Sequence, residues 1–250
     1  TLSYERFLRE HSEQHAEWVN GEAVAMAPVS VEHQLTSSFL LRLLTSFVES
    51  RGLGQVFYEP FNMKTGPDLP GRSPDILFVS TAHFDRLRDT YLDGPADVVV
   101  EVVSPGSAGR DRGDKYFEYE AGGVLEYWLI DPRRHVAEFY SLSPSGRFEL
   151  QPTADGTFRS SAVDAFWLDV AWLWDRPRLS EVEAKLGLRS GSAVPIAVCA
   201  PPIPAPILLA QPASKEHSPW QTSRKHRRGT ARTLCPAIWL ALWGTSPRPA

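Results

Sequence analysis

Two carboxylates in this sequence sit where a carboxylate is hardest to accommodate. Glu101 interrupts the run Val98-Val99-Val100 and Val102-Val103. The β-branched composition of that run otherwise belongs to a strand buried on both faces. An ionised carboxylate there must shift its pKa, pair with a cation or bind a metal ion. Asp75 follows Pro74 at the head of a second strand-like run, PDILFVS. If the two strands are neighbours, both carboxylates meet near one edge of a sheet. Two hard oxygen donors completed by water suit Mg²⁺ or Mn²⁺. Such an ion lowers the pKa of a bound water and stabilises charge on a phosphoryl oxygen. Plainer readings exist for each residue taken alone. A strand glutamate can form a buried salt bridge or end in solvent, and Pro-Asp is a common turn.

The third feature is a helical repeat. Asp111, Lys115 and Tyr119 are spaced i, i+4 and i+8, so on a helix they share one face. An exposed Asp–Lys pair is the ordinary outcome, worth about 0.2–0.5 kcal/mol. Turned toward the carboxylates, the same face gives Lys115 a role in holding the attacking water or the transition-state charge, a task that suits its compact ammonium.

The elements that must position these groups can be read from pattern. EWVNGEAVAM carries Asn20-Gly21 between two apolar runs, the strongest short hairpin signal because both turn positions need positive φ. Residues 34–50 place Leu35, Phe39, Leu40, Leu43, Leu44 and Phe47 on a helical stripe, with Ser30 as candidate N-cap and Gly52 and Gly54 as the stop. QVFYEPFNM, PDILFVS and DVVVEVVS read as strands, with the turn GPDLPGRS before the second. Residues 110–121 read as a helix stopped by Gly122-Gly123. LEYWLID and HVAEFYSL follow as strands around the turn Asp131-Pro132-Arg133-Arg134, and FEL and TFRSSAV are expected to extend the sheet. Helices covering one mixed sheet give an α/β or α+β core with an N-terminal hairpin.

Composition divides the chain near Ser190. Of 21 prolines, ten lie beyond it, with seven Lys/Arg against the single acid Glu216. Residues 1–189 hold 19 Lys/Arg against 29 Asp/Glu, a net charge of −10. An acidic body does not by itself advertise nucleic-acid binding, which leans on basic surface, although carboxylates that bind divalent cations are partly neutralised. The segment from 190 is expected to be an unstructured Pro/Arg-rich tail, with a disordered nucleic-acid-binding arm around SRKHRRGTAR as the sharper alternative. Its prolines argue against a membrane helix, and the later run LCPAIWLALW is too short to span. Cys199 and Cys235 both fall there, so the body has no thiol nucleophile, Cys-ligated zinc or disulfide framework. A cytoplasmic location fits. The opening TLSYERFLRE lacks the pattern of a secretory signal, and without an initial Met a short upstream stretch is expected.

Taken together, Pro74-Asp75, Glu101-Val102-Val103-Ser104-Pro105, Asp111, Lys115, Tyr119 and Gly123-Val124-Leu125-Glu126-Tyr127-Trp128-Leu129-Ile130-Asp131-Pro132 resemble the Uma-two family of restriction-endonuclease-like proteins. Glu17-Trp18-Val19-Asn20-Gly21-Glu22, Met26-Ala27-Pro28 and His33 are similar to that family's opening. The likeness runs from about residue 4 to 188. It implies a PD-(D/E)XK nuclease fold with a mixed sheet flanked by helices. It further implies that Asp75 and Glu101 bind the metal, with help from the Val102 carbonyl. The superfamily pattern wants lysine two residues after the glutamate. That position here is Val103, and Lys115 resembles a relocated equivalent. His33 is a candidate for lining the site, although a polar residue near a helix start is its simpler reading.

Two functions from different classes follow. One is a metal-dependent endonuclease in which Asp75 and Glu101 hold Mg²⁺ or Mn²⁺, Lys115 stabilises charge, and DNA is the substrate. Nucleases of this kind often act as homodimers. The other is a catalytically degenerate nuclease-fold protein that binds nucleic acid or protein, favoured by the acidic body and by Val103. A serine hydrolase fits poorly because PGSAG lacks the G-x-S-x-G spacing. There is no P-loop or dinucleotide fingerprint, so no organic cofactor is expected.

Overall fold

The computed structural model describes residues 1–11, 14–104 and 106–188. The expected tail from 190 onward, both cysteines and Pro105 of the quoted motif lie outside the described residues. In chain order the elements are α1 (Tyr4–His11), β1 (Ala16–Val19), β2 (Glu22–Ala25), α2 (Val31–Arg51), β3 (Gly54–Tyr58), β4 (Asn62–Lys64), β5 (Gly71–Arg72) and β6 (Ile76–Ser80). A 3₁₀ turn (Thr81–Arg86) leads to β7 (Tyr91–Asp93), β8 (Val98–Val102), α3 (Ala108–Arg112), α4 (Asp114–Gly122), β9 (Glu126–Asp131), β10 (Val136–Leu142) and β11 (Phe148–Leu150). The remainder comprises β12 (Thr157–Arg159), β13 (Trp167–Asp169), α5 (Trp172–Asp175) and α6 (Leu179–Lys185).

The main sheet has the order β11-β10-β9-β8-β6-β3. Its pairs are antiparallel except β8 with β9, which are parallel. Parallel neighbours need a crossover, and α3 with α4 supplies it. Alternation along β8 sends Val98, Val100 and Val102 to one face and Val99 and Val103 to the other. The first face is covered by α2, whose Phe39, Leu40, Leu43, Leu44 and Phe47 are fully buried. Each such side chain contributes about 1.5–3 kcal/mol relative to exposure. Tyr119 of α4, together with Met63 of β4 and Leu92 of β7, covers the second.

Local sequence explains how these elements begin and end. Asn20 and Gly21 take φ of 51° and 81° in the β1–β2 turn. Ser30 caps α2, its hydroxyl accepting from His33 N at 3.2 Å, and Gly52 ends the helix at φ 61°. The left-handed conformation costs glycine little.

Several expectations need correction. Leu35 is 47% exposed, and the buried stripe instead begins with His33 and Thr36, because the first turns of α2 pack over polar groups. QVFYEPFNM is two strands, β3 and β4, which belong to different sheets. Pro60 has no N–H to continue a ladder. There is accordingly a second sheet, β2-β1-β5-β4-β7, where one had been expected. The segment 157–163 does not extend the main sheet, since β12 pairs with β13 in a separate ribbon. The helix expected over 110–121 is broken at Gly113 (φ −112°, ψ −96°) into α3 and α4. Among the described residues no helix is long and apolar enough to cross a membrane.

Candidate active site

Strands β6 and β8 are antiparallel neighbours in which Ile76 faces Val100. One step along that register, Asp75 stands opposite Glu101. Side-chain alternation puts Asp75 on the face of Leu77 and Val79, and Glu101 on the face of Val99 and Val103, which is the same side of the sheet. Both are buried, Asp75 at 9% exposure and Glu101 at 4%. The Val102 amide donates to Asp75 Oδ2 at 2.6 Å, tying the two strand ends together through a charge-assisted bond.

Lys115 reaches this pair from α4. Its Nζ donates to Glu101 Oε1 at 2.9 Å and lies 3.4 Å from Glu17 Oε1 and 3.6 Å from Asp111 Oδ1. The Tyr119 hydroxyl also donates to Glu101 Oε1, at 2.7 Å. The shared face expected of Asp111, Lys115 and Tyr119 therefore survives the break at Gly113. His33 belongs to the same cluster. Its Nε2 is 3.1 Å from Asp75 Oδ1, and Ser37 Oγ is 3.4 Å from its Nδ1.

Three members were not foreseen. Glu17 on β1 accepts from Arg72 at 2.9 Å and from the Ser73 amide at 3.3 Å, while Arg72 grips Glu118 at 2.7 and 2.8 Å. Glu59, just after β3, donates its backbone N–H to Asp75 O at 3.3 Å and contacts His15 through its carboxylate. The available signal for Glu17 was period-two alternation in the hairpin, which separates it from the neighbouring Ala16 and Trp18. Arg72 and Glu59 carried none, since the strand pairings that bring them in are long-range.

The electrostatics follow from burial and from an excess of acids. Burial drives the Glu101 pKa well above its ordinary range. Lys115 opposes the shift, and the nearby Asp111, Asp75 and Glu17 add to it. Asp111 is raised chiefly by burial, against the pull of Lys115. Burial would discharge Lys115, yet Glu101, Glu17 and Asp111 outweigh it and hold the ammonium charged. For His33, burial lowers the pKa, but the hydrogen bond and charge of Asp75 reverse the sign and raise it. For Glu17, burial raises the pKa and the Lys115 and Arg72 charges more than offset it. Glu59 is pushed up by burial and by the Asp75 charge. Tyr119 stays neutral as a donor, its pKa raised by burial and by Glu101.

This cluster has the character of a cation site. Asp111 is 1% exposed, and neither carboxylate oxygen has a hydrogen-bond partner. A buried carboxylate in that condition is costly unless a cation compensates its charge. Among the described residues no three His, Cys, Asp or Glu side chains converge closely enough to hold an ion alone. An ion held here would take only one or two of these carboxylates from the protein, with water completing its shell. The cluster does not fit a fully protein-coordinated metal.

The rest of the long motif is architectural. Glu126, fully buried, accepts from Trp128 Nε1, the Ser160 hydroxyl, the Ser161 amide and hydroxyl, and the Ala162 amide at 2.5–3.1 Å. Asp131 Oδ1 accepts from the Arg134 amide at 3.1 Å.

Comparison with known proteins agrees with this architecture. The family model described as "Putative restriction endonuclease" (Uma2) matches residues 2–171. No curated protein matches the chain. Among solved structures, a putative nuclease belonging to DUF820 from Anabaena variabilis superposes with a TM-score of 0.58 at 18% identity, covering 70% of this chain and 98% of that one. At that identity the likeness shows the fold, a restriction-endonuclease-like core of mixed sheet flanked by helices. The family match extends over both carboxylate-bearing strands and the Lys115 helix, and the chain belongs to the Uma2 family.

Proposed function

We propose that this chain is a metal-dependent endonuclease that hydrolyses DNA phosphodiester bonds, with Asp75 and Glu101 as the metal-binding carboxylates. The observation that carries the reading is the placement of these two buried carboxylates opposite each other, Asp75 just before β6 and Glu101 on β8, in a cluster with more acids than its cations neutralise. Bound there, Mg²⁺ or Mn²⁺ would supply an activated water and charge stabilisation at the phosphoryl group. The protein's own groups have separable tasks. Lys115 and Tyr119 hold the Glu101 carboxylate in one orientation through Oε1. His33 and the Val102 amide do the same for Asp75. The charged ammonium of Lys115 adds a fixed positive potential where negative charge develops on phosphate. Glu17, anchored by Arg72, positions Lys115 from the other side. A homodimer would place two such sites on a duplex and let both strands be cut in one encounter. The test is cleavage of plasmid DNA with Mg²⁺ or Mn²⁺. Activity is expected in the unsubstituted chain and absent from Glu101→Ala, and equal cutting by both would overturn the reading.

One observation favours the alternative, a catalytically degenerate nuclease-fold protein that binds nucleic acid or protein. Lys115 is only 4% exposed and fully engaged by carboxylates, so it is not free to reach a substrate without rearrangement. DNA binding that is indifferent to divalent metal would select this alternative.

A further inference from the structure

Beyond the carboxylate cluster, β8 runs on into a cavity of about 340 Å³ bounded by Val103, Ser104, Ala108, Asp131, Arg133 and Arg134. Val103 is still paired, its amide donating to Ile130 O at 2.7 Å. Its side chain therefore shares a face with Glu101. At about 3.3 Å per residue, the cavity opens some 7–10 Å along the strand from Glu101. Arg133 and Arg134 are exposed, and neither forms an ion pair among the described residues. The body around them carries ten net negative charges.

The turn bearing these arginines is held in place by its neighbours. Asp131, the one acid of the cavity, is buried and already committed. Oδ1 accepts from the Arg134 amide at 3.1 Å, and Oδ2 lies 3.7 Å from Arg112, which also bonds Glu138 at 3.0 Å. At the far end of the turn the His135 ring stacks on Trp174, with centroids 5.0 Å apart and planes within 6°. The turn backbone is thus held beside the cavity while the two guanidinium groups remain exposed at its edge. Planar guanidinium groups are well matched to phosphate oxygens.

We propose that this cavity seats a backbone phosphate of the DNA strand whose scissile phosphate lies at Asp75 and Glu101, with Arg133 and Arg134 as the binding residues. The inference rests on the nuclease reading above and adds where the flanking strand runs. Phosphates rise 3.4 Å of helix axis per nucleotide but also wind about that axis, so neighbours on one strand are farther apart than this and a seat 7–10 Å away corresponds to about one or two nucleotides from the scissile bond.

The test uses the full chain and a short fluorescent DNA duplex. Affinity is measured by anisotropy in EDTA over a salt series, and cutting is measured separately with Mg²⁺. Each phosphate contact contributes roughly 0.9 to the slope of log affinity against log salt. Arg133→Ala/Arg134→Ala is expected to reduce that slope by about 1 to 2, whereas Arg133→Lys/Arg134→Lys retains most of it. Both turn side chains are exposed and the Asp131 bond is to a backbone amide, so neither variant removes a packing contact in the core. If the unsubstituted chain cuts the duplex and the alanine variant matches it in affinity, slope and cutting, the subsite is overturned while the nuclease reading stands. If the unsubstituted chain neither binds nor cuts, both are overturned.

Discussion

Lys115 Nζ lies 2.9 Å from Glu101 Oε1, and neither side chain is more than 5% exposed. A buried pair of this kind gains little over an apolar substitute, but removing one partner strands the other charge. Lys115→Met is therefore expected to cost about 3–5 kcal/mol of stability. The double substitution Glu101→Gln/Lys115→Met should recover part of that loss, since Glu17 and Asp111 also lose the Lys115 charge. Urea unfolding of the single and double variants checks this, and strictly additive losses would show that the two groups are not coupled.

Asp111 behaves differently because its carboxylate has no hydrogen-bond donor and burial raises its pKa. Its charge costs stability in the metal-free protein. Asp111→Asn is expected to melt at the same temperature as the parent or higher in EDTA, and to gain less than the parent when Mn²⁺ is added. A clear loss of stability in EDTA would mean that the carboxylate is satisfied by Lys115 alone.

Glu17 provides a pH signature whose sign is fixed. Its folded pKa is depressed because the Lys115 and Arg72 charges outweigh burial. The resulting stability is present above the ordinary glutamate range, near about 4.3, and is lost as pH falls through the lower folded value. Glu17→Gln should thus be less stable than the parent at neutral pH, with a difference that shrinks below about pH 4. Thermal melts across that range decide it, since a pH-independent difference would mean lost packing and not lost charge.

Glu126 should prove structural despite lying in the most recognisable motif. Alanine there leaves the Trp128, Ser160, Ser161 and Ala162 donors unpaired, with a cost on the order of 1–3 kcal/mol for each that water cannot reach. Glu126→Gln should lose less stability than Glu126→Ala and should bind Mn²⁺ as the parent does. A Glu126→Gln protein that folds normally but no longer binds metal would contradict that assignment.

The residues that could be read from sequence are those whose chemistry conflicts with their local surroundings. Glu101 stood out because a carboxylate within a β-branched run needs compensation. Lys115 and Tyr119 stood out because helical spacing is local. That Asp75 and Glu101 face each other could only be posed as a condition, since register depends on strand pairing and not on either strand alone. Arg72 and Glu59 were invisible for the same reason. Arg72 sits on a two-residue strand with no pattern of its own, and Glu59 sits in the turn that splits β3 from β4. Leu35 is apolar yet 47% exposed, because the apolar stripe of α2 does not continue into its first turns. There His33 and Thr36 are buried instead, with His33 bonded to Asp75.

The central claim is that Asp75 and Glu101 form one divalent-metal site, and calorimetric titration of the full chain with Mn²⁺ tests it most directly. The account predicts binding by the unsubstituted chain that is lost in both Asp75→Ala and Glu101→Ala, with each variant still folded by circular dichroism. Binding that survives unchanged in either folded variant would contradict it.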